Sequence, residues 1–345
     1  MSLKPFHLET FLSEVSRLRY LGSKTLLVEQ IHALVGPQPD GSVFCDPFGG
    51  IGTVGRYMKQ QGFRVLSGDL LQFAHFFQKA LIQFDTLPAF SKLMAETNCN
   101  VEHYLNQLIA SHGWFIEEYC EKRSFFTVDN AKHIQGCINA IWYWRASYCI
   151  DEDEYAFLIA SLIQSMDRVA NTAGTYYAHL KHYHRKALQP FRFQFLRPVQ
   201  SEFQCKCFLE DANVLVRRHE CQILYLDPPY NTRDYAKYYH LPETIARGII
   251  PKPSGKSGVP IRQDIRSPYI QRSKIKEAFL DLLAASHSQI ILFHYTDNGL
   301  LGEQFIRETL SEFGIVSEYY FDCKGYRTSS IHPSSSRHHV YKVIL

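Results

Sequence analysis

The sequence predicts an α/β fold, and three stretches predict it. Val43-Phe-Cys-Asp46 reads as a strand that runs into a glycine-rich turn. A helix through Met58 and Gln61 follows, then a second strand over 62–69 ending in an acid, the order of a βαβ unit. Ile223 to Leu226 is a short apolar run cut off at Asp227, Pro228, Pro229 and Tyr230, as a buried strand is when turn residues bound it. The last third alternates again: helix at 275–286, strand at 289–293, helix at 301–313, then 315–320 and 339–345 as hairpin partners.

Composition narrows the class. The chain has 345 residues, enough for one large or two moderate domains, and 46% of them are hydrophobic, enough for a full core. Net charge is only +3, so affinity for nucleic acid has to come from local patches. The nine cysteines form no Cys-x-x-Cys pair, and Cys205-x-Cys207 is too tight for a zinc site. With an odd cysteine count and no signal peptide, reduced thiols in a cytoplasm are expected. No apolar run approaches a membrane span.

Taken in order, residues 8–35 read as mostly helical with a break at Arg19-Tyr-Leu-Gly-Ser-Lys24. The second helix, Thr25 to Val35, is expected to start at Gly22 and Ser23. Its amides and Lys24 then offer an anion or carboxylate site, or simply a capped helix. Gly49, Gly50 and Gly52 allow a tight turn and close approach of a ligand to backbone. Asp69, at the end of the second strand, suits ribose hydroxyls. Asp46 opens the turn, and its carboxylate would repel a pyrophosphate but pair with an amino acid's ammonium group. That favours S-adenosylmethionine over NAD.

Residues from about 75 to 165 read as aromatic-rich helices with Trp114, Trp142 and Trp144. From Arg168 to Pro198 acids vanish, and basic residues, Arg185 and Lys186 among them, interleave with aromatics. That mixture suits phosphate and base contact, with alternate Phe191, Phe193 and Phe195 buried along a strand. His179, His182 and His184 lack the acids or cysteines of a metal cluster, and no metal is expected. Asp211 follows a strand expected at 203–208; it fits either the cofactor adenine's amino group or a helix N-cap. Tyr235, Tyr238 and Tyr239 fit a pocket for an extruded base or plain helix packing. Pro251 to Lys276, with Arg262, Arg266 and Arg272, reads as a mobile basic loop that orders on a polyanion, and Arg337, His338 and His339 add further basic groups.

The stretch around Asp227 carries the chemistry. Two prolines fix φ angles and push Asp227 into an extended conformation at a strand end. An exocyclic base amine is a poor nucleophile, because its lone pair is delocalised into the ring. Asp227 and the Pro228 carbonyl can each accept one N–H, which returns electron density to nitrogen and stabilises the charge that develops there. Tyr230 can stack on the base, a contact worth about 1–3 kcal/mol.

Together, Arg19-Tyr-Leu-Gly-Ser-Lys24, Asp46-Pro-Phe-Gly-Gly-Ile-Gly52, Asp69, Asp211 and Asp227-Pro-Pro-Tyr230 resemble the alpha group (Dam-type) of adenine-N6 DNA methyltransferases. The resemblance covers roughly 17–75 and 203–345 and is weak between about 85 and 200. It implies a Rossmann-like methyltransferase fold: a mixed, mostly parallel seven-stranded sheet with helices on both faces. By it, 1–84 and 200–345 form a discontinuous catalytic domain, and 85–199 is a mainly helical, inserted target-recognition region. Asp46, Phe48, Gly50, Gly52, Asp69 and Asp211 would bind S-adenosylmethionine, with Tyr20 and Lys24 near its methionine end. Asp227, Pro228, Pro229 and Tyr230 would hold a flipped adenine of double-stranded DNA, and Arg185, Lys186, Tyr239, Arg262, Arg266 and Arg272 are candidates for DNA contact. A cognate restriction enzyme is a further expected partner. A methyltransferase acting on cytosine N4, RNA or a protein amide, and a silent DNA-binding module, remain as alternatives; related RNA and protein enzymes usually carry Asn where Asp227 stands.

Overall fold

The computed structural model describes residues 18–97, 99–260, 266–296, 299–324 and 335–345. The chain folds as two compact units. One comprises Lys24–Leu70, Val199–Asp234 and Asp264–Leu345; the other comprises Met1–Ser23, Leu71–Pro198 and Tyr235–Gln263.

The first unit is built on a seven-stranded sheet. Its strands are β1 (Val43–Asp46), β2 (Arg64–Asp69), β3 (Lys206–Leu209) and β4 (Ile223–Leu226), then β7 (Ile290–Thr296), β8 (Ile315–Lys324) and β9 (Ser335–Ile344). Their spatial order is β3-β2-β1-β4-β7-β9-β8. The pairs from β3 through β7 are parallel, and β9 runs antiparallel to both β7 and β8. The order reverses between β1 and β4, so the crevice beyond their carboxyl ends is the place where such sheets bind ligands.

Period-two alternation decides which helices cover which face. Cys45, Leu66, Leu224, Leu226, Ile291 and Phe293 point into one core with helices Ala212–Arg218, Ile275–Ala285 and Glu303–Ser311. Phe44, Val65, Ile223 and Tyr225 are buried on the opposite face, where helices Val28–Val35 and Thr53–Gln60 pack. Each fully buried leucine or phenylalanine is worth roughly 1.5–3 kcal/mol. The α/β class is therefore as the sequence predicts, and the mostly parallel seven-stranded sheet is as the family resemblance implies.

The second unit is mainly helical. Helix Glu152–Asp167 is buried over Tyr155–Asp167, as a central helix must be, and a capping box of Asp151 and Glu154 starts it. Helix Val128–Ala146 begins at a Thr127 cap. In helix His240–Arg247, the buried Glu243 accepts from the Phe73 amide at 3.1 Å and from Arg247 Nε at 2.8 Å.

Four expectations shift. The helical unit begins at Leu71 rather than residue 85 and takes in Tyr235–Gln263, because helix Gln72–Gln78 packs on helices Glu152–Asp167 and His240–Arg247. The regular helix expected from Thr25 begins at Val28, without a side-chain cap. The segment around Phe191–Phe195 joins no sheet among the described residues. Its backbone is held by side chains: Asn130 Oδ1 accepts from Phe191 N–H and Asn106 Oδ1 from Phe193 N–H, both at 2.8 Å. The expected loop at 251–276 carries a small hairpin, β5 (Pro253–Ser254) with β6 (Val259–Pro260), and a 3-10 turn, Pro268–Ile270.

Candidate active site

All of the site's charged groups lie in the sheet unit. β1 ends on Asp46, and Asp227 follows β4, the neighbouring parallel strand. The hydrophobic runs that form the strands thus set two carboxylates at the point where the strand order reverses. Asp46 is 2% exposed. Asp46 Oδ1 and Asp227 Oδ1 are both buried with no hydrogen-bond partner among the described residues.

Lys24 supplies the counter-charge. Its ammonium, in a side chain only 4% exposed, is ion-paired with Asp227 Oδ2. Burial pushes the Asp227 carboxyl up, and Lys24 opposes that rise. Asp46 is pushed up to about 8, first by burial and then by the charge on Asp227; the Phe48 amide and Lys24 offset part of it. Removing one partner of a buried pair leaves an uncompensated charge, at a cost of about 3–5 kcal/mol.

The glycine turn follows directly on Asp46. Gly50 and Gly52 have φ of 52° and 80°, a region in which other residues are strained by about 1–2 kcal/mol. The Gly50 amide donates to Asp69 Oδ2 at 3.1 Å, tying the end of β2 to the turn. The Phe48 ring meets Tyr269 edge-on at 4.9 Å, and Tyr269 donates to Asn213 Oδ1 at 2.8 Å. Asp211 caps helix Ala212–Arg218 by accepting from the Asn213 amide at 2.9 Å. The Tyr230 carbonyl accepts from the Leu300 amide at 2.8 Å, and its ring lies 6.0 Å from that of Tyr295.

Of the other predicted residues, Tyr20, Tyr239, Arg185 and Lys186 belong to the helical unit, and Arg266 and Arg272 to the sheet unit. Tyr20 is stacked on Tyr239 at 5.0 Å. Tyr239 itself is fully buried. Its hydroxyl donates to the Arg19 carbonyl at 3.1 Å and accepts from the Leu21 amide at 2.6 Å. That corrects the expectation of a DNA-facing Tyr239: the ring pins the chain before Gly22. Arg185 is exposed at the start of a 3-10 turn, and Lys186 is half-buried, its amine donating to the Asp167 carbonyl at 2.9 Å. Arg266 and Arg272 are exposed, and Arg262 lies outside the described residues.

Sequence reasoning missed a buried chain behind the site. The Tyr225 hydroxyl meets His294 Nδ1 at 2.9 Å, and His294 Nε2 meets His338 Nδ1 at 2.8 Å. Burial pushes His294 well below the ordinary histidine range, and His338 down to about 4. Histidine within the apolar run of β7 was the available signal.

Comparison with known proteins decides the family. The model of the D12 class N6 adenine-specific DNA methyltransferases matches residues 20–315. The chain belongs to this family. This D12-class chain is 35% identical over 312 residues to the type II methyltransferase M.FokI of Planomicrobium okeanokoites, covering 88% of this chain and 48% of that protein. It is 32% identical over 337 residues to the modification methylase StsI of Streptococcus sanguinis, covering 95% and 51%. With the type II methyltransferase M.NlaIII of Neisseria lactamica it shares 32% over 309 residues, covering 86% and 89%. The D12-class chain thus spans about half the length of the first two relatives and most of the third. Among its described residues no helix is long and apolar enough to cross a membrane.

Proposed function

We propose that this chain transfers a methyl group from S-adenosylmethionine to N6 of adenine at a specific sequence in duplex DNA, drawing the base into the pocket formed by Asp227, Pro228, Pro229 and Tyr230. One observation carries the reading. The carboxylates of the buried Asp46 and the half-buried Asp227 end adjacent parallel strands, each with one buried oxygen that has no hydrogen-bond partner among the described residues. Membership of the D12 class supports the same acceptor.

The residues present fit the cofactor. An orphaned buried oxygen on Asp46 suits an ammonium group, and the left-handed glycines leave the turn open to close approach. Asp46 would take the amino end, Asp69 the ribose hydroxyls and Asp211 the adenine amino group, with Phe48, Gly50 and Gly52 lining the turn and Lys24 near the methionine end. Bound there, S-adenosylmethionine supplies an electrophilic methyl on its sulfonium.

The protein's own part is to make the amine nucleophilic. Asp227 Oδ1 accepts one N–H and the Pro228 carbonyl the other, so the nitrogen lone pair leaves conjugation with the ring. Lys24 opposes the upward push that burial puts on the Asp227 carboxyl. Tyr230 stacks on the base and offsets part of the cost of unstacking it from the duplex. Removing a preorganised electrostatic contact of this kind typically costs about 10²–10³ in rate.

The names of the relatives, type II methyltransferase and modification methylase, extend the proposal to a restriction–modification setting with a cognate restriction enzyme. Labelled methyl transfer offered to duplex DNA, RNA and protein in parallel tests the reading. Saturable incorporation into duplex DNA, recovered as N6-methyladenine, is expected. Incorporation confined to RNA or protein, or into cytosine, would overturn it.

A further inference from the structure

Among the described residues, the helical unit contains a cavity of about 380 Å³ lined by Arg19, Arg168, Lys186 and Arg192 around a single carboxylate, Asp167. That volume is within the roughly 300–1,000 Å³ of small-molecule pockets, and four cations face one acid.

The acid is held inward. Asp167 is almost fully buried, and its Oδ1 accepts from the Tyr176 hydroxyl at 3.2 Å. Its backbone carbonyl accepts from Lys186 Nζ at 2.9 Å. Asp167 therefore anchors the floor of the cavity and leaves an excess of positive charge at its walls.

The backbone of one wall is clamped by side chains. Arg192 sits between Phe191 and Phe193, whose amides are clamped by Asn130 and Asn106 at 2.8 Å. Asn106 Nδ2 also donates to the Phe193 carbonyl at 2.9 Å. The Gln194 amide donates to Ser165 Oγ at 2.9 Å, and the Gln194 side chain accepts from Arg168. Side-chain clamps thus fix the backbone that carries Arg192 and Gln194, one of them from Ser165 of helix Glu152–Asp167. Burial and the nearby Arg19 push the Lys186 amine down, although Asp167 opposes this. Crowded cations of this kind gain from an incoming anion. Planar guanidinium forks match phosphate oxygens two at a time.

We propose that this cavity seats one backbone phosphodiester of the DNA, held by Arg19, Arg168, Lys186 and Arg192. The inference rests on the DNA reading above and adds a fixed docking point, remote in sequence from the Asp227 motif and blind to base identity. Phosphate contacts position a protein on the duplex, and base contacts specify.

The test is the salt dependence of duplex binding by the full chain, compared with Arg192→Gln and the double variant Arg19→Gln/Arg192→Gln. Thermal unfolding is followed in parallel to verify that the variants fold. The slope of log K against log salt is expected to fall in magnitude by about 0.9, one phosphate contact. The loss of affinity is expected to be equal for duplexes of different sequence. Unchanged slopes in folded variants overturn the phosphate seat while leaving the methyltransferase reading intact. Absence of DNA binding by the unsubstituted chain overturns both. Saturable binding of inorganic phosphate that Arg192→Gln abolishes, alongside unchanged DNA slopes, assigns the cavity to a free anion and overturns the DNA source.

Discussion

Asp46 and Asp227 end adjacent parallel strands, and the charge on Asp227 helps to raise the carboxyl of Asp46 to about 8. Lys24 is the cation paired with Asp227. A buried and a half-buried acid beside one ammonium leave room for a second positive charge, which a sulfonium cofactor carrying an amino group would bring.

Proton release follows from that shortage. Near pH 7 the free protein holds Asp46 largely protonated, and a cationic ligand binds the ionised form. Binding at pH 7 therefore expels up to one proton, and affinity climbs as pH rises towards 8. It levels off as the ligand's own amine titrates, near about 7.7–8.0 for an ordinary α-amino group. Calorimetry in two buffers of different ionisation enthalpy measures this directly. Asp46→Asn is expected to bind without the proton; equal proton release from that variant would move the titration to another group.

Lys24 opposes the upward shift of Asp227. In Lys24→Met that opposition goes, so Asp227 ionises only at higher pH. The acid limb of the pH–rate profile is expected to move upward, with activity lost first at low pH. The substitution also strips a half-buried acid of its partner, at up to about 3–5 kcal/mol, so the profile is best measured well below the melting temperature. An unmoved limb would remove Lys24 from the catalytic account.

Tyr239 offers a structural prediction. Its hydroxyl bridges the Arg19 carbonyl and the Leu21 amide inside the helical unit. Tyr239→Phe leaves both backbone groups without that partner, and an unsatisfied buried group costs about 1–3 kcal/mol. A lower melting temperature is expected, with DNA affinity at fixed salt unchanged once the protein is folded. The reverse pattern, normal melting with weakened DNA binding, would restore the DNA-facing role.

Gly52 adopts φ 80° and ψ 19° directly before helix Thr53–Gln60. Gly52→Ala is expected to lose about 1–2 kcal/mol of stability from backbone strain alone, read from chemical denaturation. No loss would mean that the turn relaxes to another conformation.

The sheet unit was legible because its signals are local. Val43–Asp46 and Ile223–Leu226 are apolar runs stopped by glycine or proline, and Asp211 stands where an N-cap belongs. The helical unit was harder to read. Phe191 to Phe195 alternate like a strand, yet their partners are Asn106 and Asn130, on helices far away in sequence. Nothing in the residues themselves distinguishes such side-chain clamps from a neighbouring strand. Tyr239 was ambiguous for the same reason, since an aromatic beside a motif reads alike whether it faces a ligand or a core. The link between His294 and His338 joins two strands whose register no local pattern sets.

The most direct measurement is single-turnover methyl transfer to adenine-containing duplex DNA by Asp227→Ala beside the unsubstituted chain, with product read as N6-methyladenine. The account predicts a rate lower by at least about 10²-fold while S-adenosylmethionine still binds. Near-equal rates from the two proteins would contradict it, because the amine would then be activated somewhere other than the end of β4.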